Sequence, residues 1–217
     1  MFYDDLIKFH PLQYLQGLIK AFLDNGGVIY EHTVIGEKVE QDGGGLTLIT
    51  EKSQHRISCR HAVSASQFPF YDGGDLYYTR LKPERSYVLS IQPETDFEGG
   101  MYLSAGGPTR SLRAVEWEGT RLVLVGGESH KTGQGICTFG YYEKLEQFAG
   151  QLLGSKSIPY RWSAQDLKKL DRVPYIGRVS EKEEIYIATG FKKWGMTSGT
   201  MASVRVPTEI RKASCTW

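Results

Sequence analysis

The 217-residue chain lacks any long apolar run, and nothing in it approaches the roughly 20 consecutive apolar residues of a bilayer-spanning helix. Its opening, Met1-Phe2-Tyr3-Asp4-Asp5, has neither a basic n-region nor an apolar core, so no signal peptide is read there. Cysteine is scarce: Cys59, Cys137 and Cys215 are odd in number and widely spaced, which excludes a disulfide framework and fits reduced thiols in a cytoplasm. Charge of one sign is missing too. With 26 Lys and Arg against 25 Asp and Glu, the net charge is +1, leaving no electrostatic footprint for nucleic acid or a membrane surface. The five histidines show no metal-ligand spacing. No Gly-x-Gly-x-x-Gly follows a strand, so this form of dinucleotide phosphate loop is absent.

Aromatics are plentiful, with 13 Tyr, 9 Phe and 4 Trp, which favours β structure and large packing surfaces. The spacing of Leu12, Leu15, Ile19, Phe22 and Leu23 predicts an amphipathic helix over Pro11 to Asn25, stopped by Gly26-Gly27. Strands are expected at Val28 to Glu31, Thr33 to Glu40, Leu46 to Thr50, His55 to Ser58 and Ala62 to Ala65, with a glycine-rich turn over residues 41–45. Further strands are expected near Tyr77-Thr79, Arg85-Ile91, Met101-Ser104, Leu112-Trp117 and Arg121-Val125, joined by short connections as in an antiparallel sheet. A helix over Phe139 to Leu153 would bury Phe139, Tyr142, Leu145, Phe148 and Leu152. Residues 154–176 read as irregular apart from a helical turn at Ala164-Leu170. A strand at Ile185-Ala188, a helix from Met196 to about Arg205 and a frayed basic tail complete the chain.

The stretch Ala188-Thr189-Gly190-Phe191-Lys192-Lys193-Trp194-Gly195-Met196-Thr197-Ser198-Gly199-Thr200 reads as strand, glycine turn and helix start. Gly190 and Gly195 let the backbone approach a ligand closely. A helix starting near Met196 aims free N–H groups and a partial positive charge back at the turn, which makes an anion site. Ordinary strand-to-helix capping is the competing explanation of the same spacing. Cys59-Arg60-His61 has the spacing of one half of a Rieske ligand set, but no second Cys/His pair accompanies it, so no cluster is expected in this chain.

Several of these stretches resemble one family. The run "IYIATGFKKWGMTSGTMAS", the preceding Pro174-Tyr175-Ile176-Gly177, "HPLQYLQGLIKAFLDNGGVIYEHTVI" and "HAVSASQFPF" occur in the order found in FAD-dependent oxidoreductases of the D-amino-acid oxidase and glycine oxidase type. The stretches "RSYVLSI", "SLRAVE", "VGGESHKTGQG" and "YRWSAQD" resemble the subgroup that carries a carboxy-terminal Rieske 2Fe-2S domain. The resemblance runs from about Phe9 to Ala202.

It implies an α+β fold, in which a mostly antiparallel substrate domain has helices on one side and is joined to partial FAD-domain elements. The expected divisions are residues 1–75 (partial FAD domain), 76–160 (substrate domain) and 161–217 (return to the FAD domain). It implies that backbone near Val34 contacts adenine, that Ser66 borders the flavin, and that Gly190 to Thr197 line the pyrimidine end. Arg113, His130 and Arg161 are candidates for holding a substrate, with Arg110 a further one, because a guanidinium suits a carboxylate. The usual Gly-x-Arg-Pro context is missing around Arg161. The expected cofactor is FAD in an intact parent, held weakly or not at all by this chain, with 2Fe-2S only in a separate domain. The expected reaction is hydride transfer to flavin from a C–H bond beside an amine or hydroxyl. The expected partners are a small-molecule substrate and a second copy meeting through an exposed apolar face, but neither nucleic acid nor a membrane. A non-enzymatic small-molecule binding module and an inactive remnant are the alternative readings.

Overall fold

A computed structural model describes residues 2–3, 10–40, 45–69, 71, 76–135, 137–180 and 183–214. In chain order the elements are β1 (Phe2–Tyr3), α1 (Pro11–Asp24), β2 (Ile35–Glu40), β3 (Leu46–Thr50), β4 (Arg56–Cys59), β5 (Ala62–Ser64), α2 (Tyr77–Arg80), β6 (Lys82–Gln92), β7 (Met101–Leu103), β8 (Ser111–Trp117), β9 (Thr120–Lys131), α3 (Phe139–Leu153), β10 (Ser157–Lys168), β11 (Tyr175–Arg178), β12 (Ile185–Thr189) and α4 (Gly195–Ser214). The fold is α+β, as the sequence pattern predicts. The chain divides into two compact units, Met1–Ile7 with Pro83–Asp166 and Lys8–Lys82 with Leu167–Trp217.

The first unit is a six-stranded sheet in the order β1-β7-β8-β9-β6-β10. The β8–β9 hairpin turns on Glu118-Gly119, both at positive φ (49° and 74°), as a two-residue hairpin loop requires. Alternate residues of β6, β8 and β9 (Tyr87, Leu89, Ile91, Leu112, Val123 and Val125) form one apolar face, on which α3 lays Leu145, Ala149 and Leu153. Of the five strands expected between Tyr77 and Val125, four form (β6, β7, β8 and β9), and β1 and β10 complete the sheet from outside that stretch. The expected buried face of α3 is rotated: Leu145 is fully buried and Tyr142 and Phe148 are partly so, whereas Phe139 and Leu152 are exposed and Ala149 and Leu153 take their place.

Tyr87 is 1% exposed, and its ring packs on Tyr141 and Tyr142 at 5.0 Å each. Its hydroxyl has no hydrogen-bond partner among the described residues, and burial pushes the phenol pKa up. A buried orphan hydroxyl costs stability. Tyr87→Phe is therefore expected to leave the fold intact and to raise the urea midpoint, by an amount equivalent to about 1 kcal/mol. A fall in the midpoint would mean that the hydroxyl has a partner.

The second unit holds two three-stranded sheets, β2-β3-β4 and β11-β12-β5. Strands β5 and β12 run parallel, with Ala62 opposite Ile185 and Ser64 opposite Ile187. β12 is buried along its whole length, and α4 covers it with Ala202 and Val206 buried. Leu46, Ala62 and Ile185 form one core cluster, and Tyr77, Leu81, Leu167 and Ile187 another. Lys38, Tyr71 and Glu183 make a buried polar knot. Lys38 Nζ lies 2.8 Å from Glu183 Oε1 and 3.2 Å from Tyr71 Oη, and Tyr71 Oη donates to the same carboxylate oxygen at 2.8 Å.

Several expectations are corrected. Helix α1 forms where the spacing predicts it, capped by His10 accepting from the Gln13 N–H, yet none of its residues is buried. Val28 to Glu31 is not a strand: no described strand pairs with it, and unpaired backbone gives no ladder. Tyr77-Thr79 is the helical turn α2. Leu76 sits at φ 55°, Thr79 Oγ1 donates to its carbonyl at 2.7 Å, and the Tyr77 ring meets Tyr175 edge-on at 5.0 Å, so local bonding and burial override β propensity. Residues 157–168 are the twelve-residue strand β10, not an irregular segment with a helical turn at Ala164-Leu170. Its pairing beside β6 and the burial of Leu167 outweigh the helical spacing. The basic tail is helical to Ser214 through Pro207, because buried Ala202 and Val206 and the Arg205–Glu209 pair at 2.8 Å support the preceding turns. Most of the expected turn at 41–45 falls outside the described residues.

Candidate functional site

In the second unit the carboxyl ends of the parallel strands β5 and β12 open into two loops, 65–69 and 190–194. A crevice outside the carboxyl ends of parallel strands is where α/β sheets hold ligands. Gly190 turns the chain at φ 75°; a Cβ there would sit 3.3 Å from Leu81 Cδ2, and its conformation is one that L side chains rarely adopt. Lys192, itself at φ 60°, donates its N–H to the Leu167 carbonyl at 3.1 Å. Trp194 N–H returns to Phe191 O at 2.9 Å, and Ser198 N–H takes Trp194 O at 2.8 Å as the first bond of α4. The N–H groups of Gly195, Met196 and Thr197 precede that bond and have no place in the helical ladder. Phe191 and Lys192 are half-buried, whereas Lys193, Trp194, Gly195, Met196 and Thr197 are exposed. An anion at this point would meet three N–H donors and the helix dipole.

The facing loop is held by hydroxyls. Ser66 Oγ donates to Phe68 O at 2.5 Å and lies 3.2 Å from the buried Ser64 Oγ. Thr189, at the end of β12, donates from Oγ1 to Gln67 O at 2.6 Å. Sequence reasoning places Thr189 in the strand-turn-helix stretch but gives it no role; its one signal is a threonine ending the otherwise apolar run Ile185-Tyr186-Ile187-Ala188. Val34 is exposed just ahead of β2, and its carbonyl accepts the Glu51 N–H at 3.0 Å. It borders a hollow of 460 Å³ shared with His32, Thr33, Thr50, Lys52 and Ser53.

The candidate substrate residues of the first unit are not brought together. Arg113 stands opposite Leu124 and next to the core residue Leu112, so it points to the face away from α3. Met101, Arg113, Leu124 and Ser90 form one row across β7, β8, β9 and β6. Arg113 is half-buried with no ion pair among the described residues, and Ser90 Oγ is buried without a partner. His130 lies on the α3 side instead, stacked on Tyr141 at 4.2 Å. Arg161 is exposed on β10. Arg110 is committed elsewhere: its Nε and Nη2 donate to Glu128 Oε1 at 3.1 and 2.7 Å, and its guanidinium lies 4.6 Å from the Phe148 ring centroid. His61 bonds Glu184 through Nδ1 at 3.0 Å, and no group of three or more His, Cys, Asp or Glu among the described residues is placed to hold a metal. No helix among them is long and apolar enough to cross a membrane.

The second unit holds a parallel strand pair ending at a glycine turn and a helix start, and the first unit holds an antiparallel sheet backed by a helix. The chain belongs to the FAD-dependent oxidoreductase (DAO) family, whose sequence profile matches residues 1–205. It is 46% identical over 206 residues to a protein of Bacillus subtilis (strain 168) that carries the name Rieske 2Fe-2S iron-sulfur protein YhfW, a match covering 94% of this chain and 40% of that protein. Its fold is similar to glycine oxidase from Geobacillus kaustophilus (TM-score 0.72, 18% identity, 91% of this chain and 53% of that one). It is also similar to L-proline dehydrogenase from P. horikoshii (TM-score 0.67, 17% identity, 88% and 53%). The chain thus spans 40% of the curated relative and about half of these solved ones.

Proposed function

We propose that this chain supplies the flavin-ring and substrate side of an FAD-dependent dehydrogenase or oxidase acting on a C–H bond beside an amine or hydroxyl. The observation that carries this reading is the convergence of the β5 and β12 carboxyl ends on the start of α4. The residues there fit one end of the cofactor: the N–H groups of Gly195, Met196 and Thr197 would hold the pyrimidine edge, where negative charge develops on reduction, with Lys192 beside them. Ser66 would border the ring and the Val34 backbone would meet adenine. No residue of the described chain fits the pyrophosphate in the manner of a glycine-rich phosphate loop. When bound, FAD supplies the two-electron acceptor.

Arg113 is the best placed of the candidate substrate residues. A half-buried guanidinium on the face away from α3, with no ion pair among the described residues, would anchor an anionic substrate group, and Ser90 on the same row would donate or accept one further bond. In the longer protein we place the onward acceptor of electrons in a separate Rieske 2Fe-2S domain, a reading supported by the name of the Bacillus subtilis relative. The free thiols Cys59 and Cys137 support a reducing, cytoplasmic setting.

Two titrations with FAD, followed by flavin fluorescence quenching, test this reading. The chain alone is expected to bind weakly and to lose its yellow colour on gel filtration. The chain joined to the portion of Geobacillus kaustophilus glycine oxidase that it does not match is expected to retain FAD one to one. An unquenched flavin in the joined form would sink the reading; tight binding by the chain alone would overturn the missing phosphate grip.

A further inference from the structure

We infer that Thr189 is a positioning residue that sets the gap between the loop after β5 and the start of α4; the link to a cofactor rests on the function proposed above. Thr189 is 2% exposed, and a hydroxyl buried in an apolar strand must find a partner or cost stability. Its backbone pairs with Tyr175 of β11 on one side. On the other side the parallel ladder with β5 ends at Ile187 opposite Ser64, two residues earlier. Beyond that point the Thr189 hydroxyl takes over from the ladder. It donates to the Gln67 carbonyl at 2.6 Å, across 122 residues of sequence.

Each loop also has a brace of its own. Loop 65–69 is braced within itself by Ser66 Oγ on Phe68 O, and turn 190–194 is braced by Lys192 N–H on Leu167 O. Thr189 Oγ1 joins the first loop to the strand that leads directly into the second. Its side chain therefore holds Gln67 and Phe68 at a fixed distance from the free N–H groups of α4. A valine has the same shape and branching without the donor, so Thr189→Val removes the link while filling the same space; Thr189→Ser keeps the donor.

The test is amide hydrogen exchange by mass spectrometry on the full chain, with wild type, Thr189→Val and Thr189→Ser side by side. In Thr189→Val, amides of 66–68 and 190–194 are expected to exchange about tenfold faster, equivalent to losing one net hydrogen bond. Exchange in β3 and β9 should stay unchanged, and Thr189→Ser should restore the wild-type rates. Unchanged exchange at 66–68 in Thr189→Val would overturn the inference. So would equal acceleration across the second unit, which would make Thr189 a stability residue only. The FAD-retaining joined form separates this from the functional reading. There Thr189→Val is expected to weaken FAD about tenfold and to shift the flavin absorbance bands, with Thr189→Ser restoring both. Faster loop exchange with unchanged affinity and spectrum would overturn the cofactor link alone.

Discussion

Lys38→Met should cost the second unit about 3–5 kcal/mol, the range for breaking a buried ion pair by removing one partner. Lys38 and Glu183 side chains are 6% and 17% exposed, so the carboxylate left behind keeps little water. Its Oε2 has no partner among the described residues, and Tyr71 alone would remain on Oε1. The pH dependence identifies the cause. Burial by itself would raise the Glu183 pKa, but hydrogen bonds from Lys38 and Tyr71 and the charge of Lys38 hold it below its ordinary value of 4.5. A carboxyl whose folded pKa is depressed adds stability above its unfolded pKa and loses it as pH falls through the folded one. In Lys38→Met the sign reverses, since an unpaired buried carboxylate is relieved by protonation. The deficit of the variant, measured by urea denaturation, should therefore be largest near neutrality and shrink as pH falls, beginning above the ordinary carboxyl value of 4.5, where the unpaired carboxylate takes up its proton, and continuing below it as the wild type loses its pair. A deficit that does not change with pH would assign the loss to packing of the lysine stem. Lys38→Met combined with Glu183→Leu should recover most of the stability, because no charge is then left buried.

Leu145→Ala should be comparably severe in the first unit. Leu145 is fully buried under α3, against the face formed by β6, β8 and β9. Truncating it leaves a cavity that the sheet cannot close, at about 2–5 kcal/mol. Ala149 and Leu153 remain to hold the helix, so the expected result is a lowered denaturation midpoint with the β-sheet signal kept, not loss of the fold. Hydrogen exchange should speed up in α3 and β9 while β3 keeps its protection; the reverse would show that the core is wrongly located.

What could be read in the sequence follows how local each signal is. Leu46 to Thr50 and its return strand are flanked by turn residues, and they fold as expected. So does α3, whose ends match the apolar period, although Ala149 rather than Leu152 reaches the sheet; the register of a helix on a sheet is decided by the partner surface. β10 is misread because Ala164 to Leu170 has helical spacing, while its true signal, the alternation of Ile158, Tyr160 and Trp162, is interrupted by Pro159. α2 is misread because two tyrosines and a threonine favour strands in isolation, whereas Tyr77 is fixed by a ring nearly a hundred residues away. At the candidate site, the glycine turn is legible because it lies in one stretch. The Thr189–Gln67 bond, the Arg110–Glu128 pair and the Lys38–Tyr71–Glu183 knot are not, because each joins residues separated by 18 to 145 positions.

Helix α1 has fourteen residues, and its leucines, Ile19 and Phe22 are between 44% and 64% exposed. Isolated helices of that length are marginal in water, because nucleation is costly and propagation gains little per residue. No residue of α1 is buried among the described residues, so propensity, its His10 cap and the Lys20–Asp24 pair contribute to holding it. Its helicity then becomes a reading of whether its apolar side is occupied. Any polypeptide that comes to lie there must first meet the entropy of winding α1, and that toll makes association with it selective for surfaces that match the whole stripe.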